Sequence, residues 1–257
     1  MATRNLASDI HFMNIENNNN NNNNTSSSST SRFLRRFLQR SQMDWEYTFT
    51  QMLLLMVNPK KVYTFSQYRH RMKKQWARDD PAFLIVLTFF ILVTSIAYGV
   101  AFSATTFGDM MILTFYGLMS LLGSGVAIST ACWYAANKYM RINDPHGNTG
   151  QSVEWLYAFD IHCNSFFVMF LLTHVLQYFL LPFLLTKTFF ASLVANTLHF
   201  LGLILYLYIT HLGYRSMSFL GKTELFLYPI GMLILFYLLL TILNLNMTRI
   251  VLWLYFS

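Results

Sequence analysis

Charge is scarce in this chain. Asp, Glu, Lys and Arg make up 11% of its 257 residues, whereas a soluble globular domain has about a quarter. That shortage argues against an ordinary water-soluble fold. Cysteine is nearly absent: Cys132 and Cys163 both sit in apolar runs, so no disulfide framework is implied. No apolar stretch follows Arg4, so no cleavable signal peptide is expected and insertion relies on internal spans. Several catalytic signatures are also missing. There is no His-Glu-x-x-His motif, no Cys-x-x-Cys pair, no Gly-x-Ser-x-Gly elbow and no phosphate-cradling glycine loop. No cofactor, metal or enzyme activity is therefore expected.

What is abundant is apolar. Hydrophobic residues make up 54% of the chain, mean hydropathy is +0.38, and there are 5 Trp, 15 Tyr and 24 Phe. This balance belongs to a membrane protein, with aromatic rings suited to the bilayer interface. Five apolar runs are long enough to span, at about 82–103, 110–136, 155–185, 189–212 and 225–243. The fold class is all-α, a five-helix transmembrane bundle within residues 81–257. The terminal "TRIVLWLYFS" is too short for a sixth span and reads as interfacial.

Two segments precede the bundle. Residues 1–30, with the Asn17 to Asn24 run and a Ser/Thr tract, have the composition of a disordered tail. Residues 31–80 read as a cytosolic basic, amphipathic and interfacial segment. Phe33, Leu34, Phe37 and Leu38 recur at helical spacing among arginines, and Trp45 to Val57 reads as an interfacial or re-entrant helix ended by Pro59. Arg69, Arg71, Lys73, Lys74 and Arg78 form a polybasic collar just before Asp80, a good N-cap, and Pro81, a good first helical residue. Those five side chains are candidates for anionic lipid headgroups or an acidic protein partner. Lys138, Arg141, Arg215 and Lys222 fall on the same side, and the opposite side receives Lys187 and Arg249. This asymmetry places the N-terminus in the cytosol and the C-terminus in the lumen.

Polar residues inside the spans are functional candidates by default. On a wheel of about 100° per residue, Asp160, Asn164, His174 and Tyr178 share one stripe of span three, with His162 roughly opposite. Asn196, His199, Tyr206 and Thr210 lie on a stripe of span four, at depths that would let the two stripes face each other. The expectation is a hydrogen-bonded seam between the spans. Proton- or solute-linked transport through Asp160, His174 and His199 is the alternative use of the same groups, and catalysis ranks last. In span two, Gly123, Ala127, Ala131 and Ala135 recur every four residues, a ridge that lets another helix approach closely.

Four stretches carry a resemblance. "NPKKVY" (Asn58 to Tyr63), "QWARDDPAF" (Gln75 to Phe83), "VEWLYAFDIHCNSFF" (Val153 to Phe167) and "FLGKTELFLYPIG" (Phe219 to Gly231) resemble the uncoordinated-fifty family of eukaryotic Golgi membrane proteins. The resemblance runs from about residue 31 to the C-terminus. It implies a multi-pass protein of the Golgi membrane, with the endoplasmic reticulum and inner nuclear membrane as further sites. It implies a part in vesicle trafficking, with guanine-nucleotide exchange factors for ARF GTPases and receptor-channel cargo as partners. RNA binding has also been ascribed to the family, but no RNA-reading motif accompanies the basic segment here.

Overall fold

A computed structural model describes residues 44–78, 80–102, 106–142 and 151–256. The Asn-rich tail, the arginine-flanked stretch from Ser31 and most of the polar loop after span two lie outside the described residues. The chain divides into two compact units. In the smaller, Asp80 does what its position promises. One carboxylate oxygen accepts the Ala82 N–H at 2.9 Å and the other accepts the Asp44 N–H at 2.9 Å.

The larger unit runs from Glu46 to Arg78 and from Leu84 to the C-terminus. Helix α1 (Trp45–Val57) and α2 (Pro59–Lys73) precede the spans. Pro59 ends the first helix and opens the second, because at a first helical position its missing N–H costs nothing. Lys74 stops α2 in the left-handed region, with φ 56° and its N–H on the His70 carbonyl at 2.8 Å.

The spans are α3 (Ala82–Ala101), α4 (Phe107–Ala135) with a π-helical turn to Met140, and α5 (Trp155–Phe170). The last continues through a π-helical turn at Leu171–Leu176 into α6 (Gln177–Leu184). Next come α7 (Phe189–Arg215) and, after a 3-10 turn at Thr223–Leu227, α8 (Pro229–Ile242). Five helical stretches are long and apolar enough to cross a bilayer: Ala82–Ala101, Phe107–Met140, Trp155–Leu184, Phe189–Arg215 and Thr223–Ile242. A final helix, α9 (Met247–Phe256), is too short to span.

Helices α5 and α7 form the centre, with α4 packed on α5 and both α8 and α9 packed on α7. The central pair approach closely because Gly213 has no side chain: a Cβ there would sit 2.7 Å from Ile161. Span two packs through Leu121, Gly125 and Ser129, which are buried, and the Ser129 hydroxyl donates to the Ala158 carbonyl at 3.4 Å. The expected ridge is therefore displaced by two residues. Gly123, Ala127 and Ala131 are exposed and Ala135 is half-buried, and a Cβ on Gly123 would meet open space.

Both ends of the bundle are tied by backbone hydrogen bonds. At one end the loops after spans two and four pair as a short antiparallel bridge. The Ile142 N–H donates to the Phe219 carbonyl at 3.0 Å and the Gly221 N–H to the Met140 carbonyl at 2.8 Å. At the other end buried Asn196 holds the turn between α8 and α9. Its amide donates to the Leu245 carbonyl at 2.9 Å and accepts the Met247 N–H at 3.0 Å.

Candidate functional site

The intramembrane acid of span three finds its partner outside the spans. Asp160 Oδ2 accepts the Arg78 backbone N–H at 2.6 Å, and Arg78 Nε lies 3.5 Å from Asp160 Oδ1. The guanidinium also donates to the Asp160 carbonyl at 3.3 Å and to Asn164 Oδ1 at 2.7 Å. Six residues earlier, at the N-cap of the same helix, Glu154 accepts the N–H groups of Trp76 and Ala77 at 3.2 and 3.3 Å. Three successive backbone N–H groups, residues 76–78, thus end on two carboxylates of one helix. This arrangement corrects the expectation for Arg78. Arg78 is buried and bound in the ion pair, so its side chain does not present a surface contact for lipid or protein.

The clamp is roofed by rings. His70 stacks on Trp76 with centroids 4.0 Å apart, and Trp76 meets Tyr157 at 5.6 Å and Phe219 at 6.4 Å. Burial under this stack, with Lys74 close by, pushes the His70 imidazole below its ordinary pKa. Gln67 donates to the Ser216 carbonyl at 2.8 Å, which joins α2 to the end of span four. Arg69 is half-buried and donates to the Tyr47 hydroxyl at 3.1 Å, whereas Arg71, Lys73 and Lys74 are exposed.

A seam between spans three and four does exist: span four contributes Tyr206 and Thr210 from its expected stripe, whereas span three contributes His162 and Ser165 in place of Asp160 and His174. His162 Nδ1 lies 2.7 Å from the Tyr206 hydroxyl and Nε2 lies 3.2 Å from the Leu121 carbonyl. A carbonyl can only accept, so Nε2 carries the proton and Nδ1 accepts from Tyr206. One imidazole thereby joins spans two, three and four. Ser165 meets Thr210 at 3.0 Å, and Tyr157 meets Ser216 at 2.9 Å. No group of three or more metal-ligating side chains occurs among the described residues.

His174, Tyr178 and His199 lie further along. Tyr178 packs edge-on against Tyr98 at 5.3 Å, and the Tyr98 hydroxyl donates to the His174 carbonyl at 3.1 Å. His174 and His199 do come together, as walls of a cavity of about 300 Å³ between spans one to four and α9. Ser95, Thr173 and Gln177 also line it, and the remaining wall is largely apolar, with Ile91, Phe166 and Leu203 among its members.

These features define a multi-pass membrane protein with a five-helix bundle and a basic segment clamped to its third span. The sequence model of the UNC-50 family matches residues 33–256, and the chain belongs to that family. It is 41% identical over 226 residues to a protein unc-50 homolog of Dictyostelium discoideum, covering 88% of this chain and 87% of the relative. Protein unc-50 of Caenorhabditis elegans is 42% identical over 209 residues, 80% of this chain and 67% of the worm protein. The Homo sapiens unc-50 homolog is 38% identical over 219 residues, with 85% and 83% covered. No solved structure matches the chain.

Proposed function

We propose that the protein acts in vesicle traffic as an adaptor of the Golgi membrane. In this reading it recruits an ARF exchange factor to the cytosolic surface and assists delivery of receptor channels to the plasma membrane. Membership of the UNC-50 family supports the reading, and one observation carries it. Arg71, Lys73 and Lys74 project as an exposed basic edge from a helix end held against the bundle by the Glu154 and Asp160 clamp. A basic edge on a fixed support attracts an anionic leaflet or an acidic protein surface, each cation adding about 1 kcal/mol near an anionic membrane. With that edge cytosolic, the C-terminus is lumenal. Transport through Asp160, His174 and His199 has less support. Asp160 is engaged by Arg78 and lies about 21 Å along the helix from His174 at 1.5 Å per residue.

The test changes Arg71, Lys73 and Lys74 together to Ala, leaving Arg69 and Arg78 in place. The full-length variant should retain the thermal stability of the parent. It should lose most of its recruitment of an ARF exchange factor to phosphatidylserine-containing proteoliposomes. Undiminished recruitment overturns the reading. Attachment of glycan at Asn23 or Asn24, both in Asn-x-Ser/Thr sequons, would place the N-terminus in the lumen and overturn the orientation.

A further inference from the structure

The cavity between spans one to four and α9 is separate from the clamp and plays no part in the adaptor reading. Its polar groups have a common character. Thr173 Oγ1 donates its single hydrogen to the Met169 carbonyl at 2.9 Å, so at 2.9 Å from His174 Nδ1 it must accept. His199 Nδ1 lies 3.0 Å from the Ala195 carbonyl and must donate to it. Both rings therefore carry their proton on Nδ1, which leaves each Nε2 as the acceptor of a residue that lines the cavity. Gln177 is 2% exposed, and its amide oxygen has no hydrogen-bond partner among the described residues. Three acceptors line one largely apolar space, and the buried Gln177 oxygen above all calls for a ligand that donates hydrogen bonds, since buried polar atoms are seldom left unpaired.

Backbone irregularity coincides with the same wall. The π-helical turn at Leu171–Leu176 contains Thr173 and His174, and Gln177 follows it directly. Single π turns within α-helices occur frequently at functional sites. The size, about 300 Å³, is at the lower end of small-molecule sites. No Lys or Arg lines the cavity, so a phosphate-bearing head would be buried without a cation to balance it. Most of the wall belongs to membrane-spanning helices, so the ligand with easiest access is one dissolved in the bilayer.

We propose that this cavity binds a neutral membrane lipid through a hydroxyl head, of the sterol or ceramide type, that donates to His174, His199 and Gln177. Its apolar body lies against Ile91, Phe166 and Leu203. The experiment uses the full-length protein in nanodiscs with photoactivatable, clickable probes: a sterol, a ceramide and a phosphatidylcholine. The sterol or the ceramide should label peptides from spans one, three or four that face the cavity. Unlabelled lipid of the same kind should compete, and phosphatidylcholine should not label there.

Two kinds of variant separate binding from folding. His199→Leu and Gln177→Leu each remove an acceptor at similar volume, and labelling should fall roughly five- to tenfold, the loss expected for one buried hydrogen bond. Leu203→Trp adds bulk to the wall and should abolish labelling while gel filtration and helical content match the parent. The proposal is overturned by equal labelling with phosphatidylcholine, by labelling confined to the outer faces, by no labelling with either hydroxyl lipid, or by labelling that survives Leu203→Trp.

Discussion

Arg78 and Asp160 meet 82 residues apart in sequence, the guanidinium 3.5 Å from the carboxylate and the Arg78 N–H on that carboxylate at 2.6 Å. The pair joins the segment before the first span to the body of the third. Both partners are largely withdrawn from solvent, and Asn164 Oδ1 accepts a further hydrogen bond from the guanidinium.

Breaking this pair on one side leaves a buried charge without compensation. Arg78→Met and Asp160→Leu should each lower stability by about 3–5 kcal/mol, and the double replacement should cost clearly less than the sum. Thermal unfolding of the four proteins in one detergent measures this. Additive losses would mean that the two side chains do not act as a pair.

Two glycines of similar appearance in sequence should behave oppositely. Gly213→Ala places a methyl group 2.7 Å from Ile161 and should cost about 1–3 kcal/mol through overpacking. Ile161→Val, which removes a methyl group, should recover part of that loss. Gly123→Ala meets nothing within 4 Å and should be neutral or slightly stabilising, because alanine is favoured over glycine in a helix by about 1 kcal/mol. Melting temperatures in detergent distinguish the two.

The stack of His70 on Trp76 should loosen in mild acid. The folded imidazole has a lowered pKa, chiefly through burial and secondarily through Lys74. The unfolded state therefore takes up a proton first as pH falls through the ordinary histidine range, near about 6.5. Stability from this contact is complete above that range and declines below it. His70→Phe should retain the stack and flatten the decline between about pH 7 and 5, read as melting temperature against pH. An unchanged slope in the variant would remove His70 as its source.

How much of this was legible beforehand depends on the kind of signal. The spans starting at Ala82, Trp155 and Phe189 follow from hydropathy and from the capping chemistry of Asp80, because length and apolar content are local properties. The partner of Asp160 is not local. A wheel drawn on span three asks which residues share a face, and it has no place for Arg78, which reads as one more cation in a basic collar. Trp76 and Ala77 beside it were the available hint, being apolar residues in an otherwise polar run.

The wheel fails for a second reason. A π-helical turn at 171–176 inserts extra backbone between Asp160 and Tyr178, so a constant angle per residue cannot carry phase across it. His174 accordingly lines the cavity and Tyr178 packs on Tyr98, away from the Asp160 site. The small-residue ridge misled for a different cause. Span two has small residues on both faces, and size alone does not say which face a neighbour covers.

Helix α1 has a practical consequence for anyone wishing to study the segment before the spans. Thr48, Gln51, Met52 and Leu55 are buried on one side. Its opposite side, however, presents Phe49, Leu53, Met56 and Val57, the last 84% exposed. A fragment ending before the first span would uncover the buried stripe while keeping this greasy one, and would also strand Arg78 without its carboxylate. Binding assays on such a peptide would therefore report stickiness, and the intact membrane-embedded chain is the right reagent for mapping partners of its basic edge.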